Sequence, residues 1–310
     1  MKKDKAAWIG ITVFGGLLAL VLLGPSSVSP FSRESGPPWS RPLVQRDLRD
    51  IVADTLRVLV MRDPLSWEEH PGVESGLEWE LLERFAKREK LRIRAIPVDH
   101  PDSMLLMLQH GDGDVMAAQL RPDGWAAAYV SCTEPYRSVA PLRVVLNTDA
   151  VIRPKVRDGH VPGDADTLSV SRWSPFFGGQ KTAFDTAYGP VTLETDTSLP
   201  EDLLAKVALG QCKGAVVVDA VSSLEMRRLP HVHFGPRLGR SVDLAFAVRN
   251  NSPALLKVMN DWLTDPGEIE ARELITDSYG QGRLTNGPLR TLHDLEFTTD
   301  SISPFDSLFQ

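Results

Sequence analysis

Residues 55–95 read TLRVLVMRDPLSWEEHPGVESGLEWELLERFAKREKLRIRA, a stretch in which the spacing of apolar residues changes twice. Apolar residues alternate over Thr55–Met61, which is typical of a β-strand. They recur at helical spacing over Leu77–Lys90, and a strand-like pattern returns over Leu91–Pro97. The stretch therefore predicts a strand, a helix and a second strand.

The alternation of strands and helices continues to residue 119. Ser103–His110 is predicted as a short helix and Asp114–Gln119 as a buried strand. Strands that alternate with helices in this way form parallel sheets covered by helices, with right-handed crossovers. This part of the chain is therefore predicted as an α/β unit with a parallel sheet.

A second set of α/β elements surrounds a stretch rich in glycine and proline, residues 148–167. The predicted strands and helices are Pro141–Asn147, Thr167–Val170, Val191–Thr195, Glu201–Leu209, Ala215–Val218, Asp243–Val248, Pro253–Leu263 and Glu268–Ser278. Two similar units that are joined twice predict a pair of lobes with a cleft between them. Such clefts bind ligands at the carboxyl ends of strands.

The composition excludes several classes of protein. Hydrophobic residues make up 42% of the chain and charged residues 24%, which is typical of a globular protein with a core. A formal net charge of −7 provides no basic surface for nucleic acid. Two cysteines are too few for a disulfide framework or a four-thiolate zinc site.

The N-terminus carries a predicted membrane segment, residues 1–30. Nineteen residues from Ala6 to Gly24 contain no charge, which is about the length that a helix needs to cross the hydrocarbon layer. The lysines among the first five residues are expected to stay in the cytoplasm and to place the body of the chain on the periplasmic face of the inner membrane. A cleaved signal peptide is the alternative, and in both cases the body is exported.

Several short motifs, in order along the chain, resemble those of the periplasmic solute-binding domains of family 3. They are Pro64–Trp67, Gly76–Leu81, Gly113–Ala118, Glu134–Tyr136, Leu203–Val207 and Ala247–Pro253. The chain is most similar to the version of this domain that is fused to membrane-bound lytic murein transglycosylase F, over residues 54–282. The resemblance implies the type II periplasmic-binding-protein fold, an α/β fold with two lobes and a central cleft.

The resemblance and the element pattern together predict the parts of the chain. A stalk over residues 31–52, rich in proline, serine and charge, follows the membrane segment. The first lobe is predicted over residues 53–145 plus 241–283, and the second lobe over residues 146–240. Residues 284–310 form a tail that resembles the linker to the transglycosylase domain of such enzymes.

The catalytic glutamate of lytic transglycosylases is expected in a Glu-Ser pair followed by a Gly-Leu-Met-Gln-like motif. The two Glu-Ser pairs here, Glu34-Ser35 and Glu74-Ser75, are not followed by that motif. Cleavage of a glycosidic bond needs a carboxylic acid with a raised pKa beside the leaving oxygen. The chain is therefore predicted to lack the catalytic domain and not to be an enzyme.

In amino-acid binders of the family, an arginine before the Pro-Tyr segment holds the carboxylate of the ligand through paired hydrogen bonds. Counting back from Pro135-Tyr136 without gaps puts Ala126 at that position. Arg121, five residues earlier, is the candidate replacement, and a solvated surface arginine is the alternative. We therefore expect that the cleft does not bind free amino acids in the usual way.

Two further residues are candidate ligand contacts. The family's aspartate after an apolar strand faces the amino group of the ligand, and Asp219 follows Ala215–Val218 in the same way. The alternative is that Asp219 caps a helix. Trp67 matches an aromatic residue that commonly packs on ligands, with packing at the hinge as the alternative. The loop Trp173–Gly179 lies where many members bind ligand through a glycine-rich turn.

No metal or cofactor is predicted. His231 and His233 lie on one face of a predicted strand, where two imidazoles can contribute to a zinc site. The sequence offers no third ligand, so we predict surface roles for both. It also contains no nucleotide-binding motif and no Ser/His/Asp arrangement.

The sequence therefore predicts a membrane-tethered periplasmic module that binds a ligand without catalysis. The expected ligand is a small polar molecule: an amino acid, a peptide or a peptidoglycan fragment such as a muropeptide. Two alternatives stay open. One is a regulatory remnant of a lytic transglycosylase that works with a separate catalytic polypeptide. The other is the solute-binding component of an importer that delivers a small polar solute to a permease.

Overall fold

The computed structural model of the chain describes residues 40–146, 166–177, 191–220, 229 and 231–280. The predicted membrane segment, the first part of the predicted stalk and the predicted tail lie outside these residues. Within them, no helix is long and apolar enough to cross a bilayer.

The described elements are numbered in chain order. The strands are β1 (Leu56–Met61), β2 (Glu68–His70), β3 (Val73–Ser75), β4 (Ile93–Val98), β5 (Val115–Leu120), β6 (Val130–Cys132), β7 (Arg137–Val139), β8 (Pro141–Leu146), β9 (Asp166–Ser171), β10 (Val191–Asp196), β11 (Gly214–Val218), β12 (Val232–Arg237) and β13 (Val242–Arg249). The helices are α1 (Leu48–Ala53), α2 (Leu77–Arg88), α3 (Pro101–His110), α4 (Pro200–Ala208), α5 (Pro253–Thr264) and α6 (Pro266–Gly280).

The first sheet has the order β4-β1-β5-β13-β6, with β7 beside β13. β1 lies parallel to β4 and β5, with Leu56 opposite Ile93 and Val58 opposite Val115. β13 arrives from far along the chain and runs antiparallel to β5. The parallel core of this sheet follows from the alternation of strands and helices in residues 55–119.

Helix α2 packs against β4 and β5. Its apolar positions Leu77, Leu81 and Phe85 are buried, as the helical spacing predicts. Gly76, which precedes the helix, has a φ of +132°. A Cβ at Gly76 would lie 2.3 Å from the backbone oxygen of Ser66. Only glycine fits this position without displacing the loop after β1.

The last two helices pack on the same sheet and on α2. The ring of Trp262 in α5 lies against Phe85, with 5.3 Å between the ring centroids. The hydroxyl of Tyr279 in α6 accepts a hydrogen bond from the N–H of Gly76 at 2.8 Å and donates to Glu80 Oε1 at 2.6 Å. The C-terminal end of the described chain is therefore hydrogen-bonded to the N-terminal part of α2.

The second sheet has the order β10-β9-β11-β8-β12. β9 is parallel to β10 and β11, and β8 is antiparallel to β11 and β12. Leu203 and Val207 of α4 share a buried apolar cluster with Ala215 and Val217 of β11. We call the first sheet with its helices the first lobe, and the second sheet with α4 the second lobe.

The second lobe begins earlier than the sequence predicted. The predicted boundary lies between residues 145 and 146, whereas the whole of β8 pairs with β11 and β12. The apolar pattern of β8 suits either sheet equally well, so the pattern alone did not assign it. The chain therefore enters the second lobe at Ala140 and returns between Arg237 and Val242.

Residues 40–53 pack on the first lobe, so the prediction of a stalk over 31–52 is wrong for its C-terminal part. Asp47 caps α1 in a capping box, and Ile51 is fully buried. A carboxylate oxygen of Asp47 also accepts the N–H of Leu255 in α5 at 2.9 Å. Composition does not reveal this packing, because the partners come from distant parts of the chain.

A buried ion cluster joins this segment to the sheet. Asp114, immediately before β5, is fully buried, and its carboxylate lies 3.0 Å from Arg249 of β13. Arg46 and Arg57 contact the same carboxylate at 2.9 and 3.4 Å. Arg249 is also fully buried and donates to the backbone oxygens of Arg46 and Leu108. Segments from three parts of the chain therefore meet at one carboxylate.

Candidate functional site

The chain crosses between the lobes at two adjacent points. One crossing is Ala140, between β7 of the first sheet and β8 of the second. The other follows β12 at Leu238, whose N–H donates to the backbone oxygen of Pro141 at 2.9 Å. Two adjacent crossings have the form of a hinge. The segments that follow β5 and β9 line a common cavity between the lobes.

Side chains from both lobes nearly fill this cavity. Its volume is about 10 Å³, which is room for about one water molecule. Trp125 of the first lobe packs edge-on against Trp173 of the second, with ring centroids 5.5 Å apart and planes at 76°. The guanidinium of Arg172 lies 4.4 Å from the centroid of Trp173. The lobes are therefore closed on each other.

Arg121, the candidate carboxylate clamp, is engaged with partners from both lobes. Its Nη2 lies 2.6 Å from Asp123 Oδ2, and its Nε contacts the other oxygen of that carboxylate. Its Nη1 donates to the backbone oxygen of Pro175 at 3.2 Å. The hydrogen bonds from Arg121 hold the pKa of Asp123 below its ordinary value. A ligand carboxylate would have to displace Asp123 to pair with this guanidinium.

Asp219, the second candidate contact, lies at the hinge. Its Oδ1 accepts the N–H of Ala140 at 3.1 Å, and its own N–H donates to the backbone oxygen of Ala140 at 3.0 Å. Its Oδ2 accepts a hydrogen bond from Arg237 Nη2 at 2.8 Å. The carboxylate therefore joins the end of β11 to both crossings, and its contact with a ligand stays a prediction.

Trp67, the third candidate, is buried in the core and not exposed at the cleft. Its exposed fraction is 3%, and its backbone N–H donates to the backbone oxygen of Asp63 at 2.8 Å. The guanidinium of Arg62 lies 5.6 Å from the centroid of its ring. Trp67 therefore packs in the buried apolar core, and both its contact with a ligand and its packing at the hinge stay predictions.

A buried polar cluster behind the cleft was not singled out from the sequence. Gln119, the second-to-last residue of β5, has a φ of +51°. A positive φ is uncommon for a residue with a side chain. Its N–H donates to Glu78 Oε1 at 2.9 Å, and its side-chain amide donates to Asp63 Oδ1 at 3.2 Å. The hydroxyl of Tyr136 donates to the same oxygen of Glu78 at 2.7 Å. Their position along the chain could have indicated this cluster, because Asp63 and Gln119 lie at the carboxyl ends of two parallel strands, where ligand sites of α/β proteins are found.

The two carboxyl groups of this cluster have raised pKa values. Burial is the main cause, raising the pKa of Glu78 to about 8 and that of Asp63 above its ordinary range. Nearby negative charge adds to both shifts: Asp63 raises the pKa of Glu78 further, and Glu68 raises that of Asp63 further. Glu78 is therefore a neutral acid at pH 7, and the cluster supports the loop of Arg121 through hydrogen bonds.

The predicted surface histidine His231 has its Nε2 3.1 Å from the backbone oxygen of Ala208. In the part of the chain that the structure describes, no three side chains of His, Cys, Asp or Glu are grouped as a metal site requires. Cys132 and Cys212 are both free, half-buried thiols.

The family model of the bacterial extracellular solute-binding proteins, family 3, matches residues 56–279. The chain belongs to this family. The match covers the strands of both sheets, from β1 to β13. It confirms the resemblance on which the fold was predicted.

One curated relative of this family 3 chain is the membrane-bound lytic murein transglycosylase F of Idiomarina loihiensis. The two are 22% identical over 232 residues, which is 75% of this chain and 49% of the relative. The chain thus spans about half the length of the curated relative that it matches. The N-terminal part of that relative is a family 3 domain.

Two solved structures share the fold at low sequence identity. The VFT2 domain of BvgS from Bordetella pertussis has a TM-score of 0.59 and 18% identity, covering 74% of this chain and 96% of its own. AbpA, an amino acid ABC transporter substrate-binding protein of Streptococcus pneumoniae bound to L-arginine, has a TM-score of 0.58 and 15% identity, covering 76% and 99%. These likenesses confirm the type II periplasmic-binding-protein fold.

In this family 3 domain, residues that follow β5 and β9 line the small cavity between the lobes. The loop after β5 and the segment after β9 do meet across the cleft, as their positions predicted. The three candidate residues do not converge on one point: Trp67 lies in the core, Arg121 bridges the lobes and Asp219 lies at the hinge. In this closed arrangement the guanidinium of Arg121 is paired with groups of the protein itself, and the role of the three residues in ligand binding stays a prediction.

Proposed function

We propose that this chain is the ligand-binding module of a membrane-tethered periplasmic sensor, and that its ligand is a peptidoglycan fragment such as a muropeptide. One observation carries the proposal: the aromatic side chains Trp125, Trp173 and Phe177 line the cleft, and the guanidinium of Arg121 is already paired. Aromatic faces suit the flat apolar faces of sugar rings. The family 3 domain of a murein transglycosylase supports the same class of ligand.

Tethering is supported by the uncharged run Ala6–Gly24 and by the lysines before it. A module held on the periplasmic face of the inner membrane is close to the peptidoglycan from which such fragments come. The module itself binds and does not cleave.

We expect a disaccharide–tetrapeptide muropeptide to stabilise the full-length chain, purified in detergent, and free arginine or glutamine not to do so. A ligand at about 100 times its Kd adds about 2.7 kcal/mol to the free energy of unfolding. Thermal-shift measurements with each compound test this. Stabilisation by arginine or glutamine alone would instead support an importer component, the function that the likeness to AbpA favours.

Two variants separate binding in the cleft from binding elsewhere. Phe177→Ala removes a ring that is 37% exposed and lines the cleft, so the affinity for the muropeptide should fall about tenfold, or about 1.4 kcal/mol. Leu209→Ala removes an apolar side chain of the second lobe that is 72% exposed and does not line the cleft, and it should bind like the wild type. Calorimetry that gives equal affinities for wild type and Phe177→Ala would place the ligand outside the cleft.

Arg121→Ala tests the candidate clamp. Because Asp123 already occupies the guanidinium, we expect neither the wild type nor Arg121→Ala to bind free amino acids in calorimetry. Micromolar binding by the wild type that Arg121→Ala abolishes would contradict this. Arg121 would then be a relocated clamp, and the cleft an ordinary amino-acid site.

A further inference from the structure

We propose that a groove on the outer side of the first lobe binds the segment Pro288–Phe297 of the predicted tail. The groove lies between α2, α6 and the beginning of β4, and its volume is about 500 Å³. We call it the α2–β4 groove. The proposal concerns a surface other than the cleft and does not depend on the ligand of the proposed function.

The floor of the α2–β4 groove is apolar. Leu91 and Ile93, at the beginning of β4, and Ile275 of α6 line it. All three are half-buried and pack on the core while part of each side chain stays exposed. Leu274, beside Ile275, is 66% exposed. In the part of the chain that the structure describes, β4 is an outer strand of its sheet, so no neighbouring strand covers this apolar surface. Exposed apolar surface with a polar rim is typical of a contact site.

The rim of the groove is charged. Glu80, Glu83, Arg84 and Lys87 line it and recur at helical spacing along one face of α2. They span seven residues, or about 10 Å along the helix. Arg84 also pairs with Glu268 of α6 at 2.6 Å. An apolar floor with a rim of both charge signs suits a short amphipathic segment.

The sequence that follows α6 starts beside this groove. The hydroxyl of Tyr279 donates to Glu80 Oε1 at 2.6 Å, and Glu80 lines the groove. Leu289 comes nine residues after Gly280, and nine residues of extended chain reach about 30 Å. A segment tethered this closely has an effective concentration in the millimolar range. The tether therefore favours this segment over a free partner of the same chemistry.

The segment carries side chains that suit both parts of the groove. Leu289, Leu292 and Leu295 recur every three residues and provide apolar contacts for the floor. Arg290 and Asp294 lie between the leucines and can pair with the acidic and basic residues of the rim. Binding would cover the apolar floor and hold the chain after residue 280 along α2.

The distance between two spin labels tests this binding. Glu273→Cys, at an exposed position of α6 that does not line the groove, and Thr291→Cys carry the labels. Cys132 and Cys212 are changed to serine, and the full-length chain is measured in detergent. We expect a narrow distribution of short distances.

Three substitutions in the segment should release it. Leu289→Ser, Leu292→Ser and Leu295→Ser together should lower the ratio of bound to released segment at least about tenfold and broaden the distances. Ile302→Ser with Phe305→Ser is the matched control later in the tail and should keep the narrow distribution. A broad distribution without substitutions, or a narrow one with the three serines, would overturn the proposal.

A substitution in the groove tests the other side of the contact. Ile275→Lys places a charge on the apolar floor and should also lower the ratio of bound to released segment about tenfold. If this variant folds poorly, the three serines still decide the question, because they lie outside the folded lobe elements that line the groove.

A second copy of the chain is the alternative occupant. Chains labelled only at residue 273 are mixed with chains labelled only at residue 291, and we expect no short distance in the mixture. A short distance there would show contact between copies and overturn the proposal. No ligand is added in these experiments, so their outcome is independent of whether a muropeptide binds.

Discussion

Asp114→Asn is expected to lower the free energy of unfolding by about 3–5 kcal/mol. The substitution keeps the size of the side chain but removes the negative charge that lies 3.0 Å from Arg249. Both side chains have an exposed fraction of 0%, so the guanidinium cannot turn toward water. A buried charge without its partner is costly, because it has lost its hydration and gains no attraction in return. Urea-induced unfolding of wild type and variant measures the difference.

Asp54→Asn is the matched control for this experiment. Asp54 pairs with Arg46 of the same cluster at 3.2 Å, but its side chain is 59% exposed. Exposed ion pairs contribute about 0–1 kcal/mol, so this variant should unfold close to the wild type. A loss below about 1 kcal/mol for Asp114→Asn as well would contradict the role assigned to the buried cluster.

The free energy of unfolding should fall as the pH rises from 5 to 8, and Glu78→Gln should weaken this dependence. Burial raises the pKa of Glu78 to about 8, whereas an unfolded chain has an ordinary glutamate pKa of about 4.3. Between these values the folded state binds the extra proton, so its stability is lost as the pH rises through that window. The slope is about 1.4 kcal/mol per pH unit for one such group.

The glutamine variant retains an oxygen that can accept the hydrogen bonds of Tyr136 and Gln119, so the cluster should stay intact. Because glutamine does not titrate, residue 78 no longer contributes to the pH dependence of stability. Urea unfolding at pH 5, 6, 7 and 8 gives the two curves. The free energy of unfolding of the variant should still depend on pH to some extent, because burial also raises the pKa of Asp63. Glu69→Gln, at an exposed position on β2, is the matched control. Identical slopes for wild type and Glu78→Gln would contradict the protonated state assigned to Glu78.

The order of strands and helices was predictable because the spacing of apolar residues within each segment distinguishes a strand from a helix. The stretches Thr55–Met61 and Leu77–Lys90 differ from β1 and α2 by two residues or fewer at each end. The lobe of β8 was not predictable, because an apolar strand pattern does not record which sheet supplies its partners. The packing of residues 40–53 on the first lobe was not predictable for a similar reason. Their buried contacts are with residues far along the chain.

The site was less predictable than the fold because it depends on contacts between distant loops. Arg121 was found by its position, but its pairing with Asp123 and Pro175 depends on a turn and on the closed arrangement of the lobes. Gln119 carries a backbone conformation that its residue type does not indicate. The burial of Trp67 follows from the fold of its loop and is not visible in its immediate neighbours.

The described chain is fastened to the first lobe at both ends, by Asp47 and Arg46 near one end and by Tyr279 at the other. Sequence before residue 40 or after residue 280 is therefore joined to the first lobe. The second lobe is joined to the first through the paired crossings and through a buried apolar cluster that contains residues of both lobes. A swing of the second lobe leaves the covalent attachments at both ends unstrained. A change in the angle between the lobes would therefore alter the position of the second lobe's outer surface and not the spacing between the two ends of the described chain.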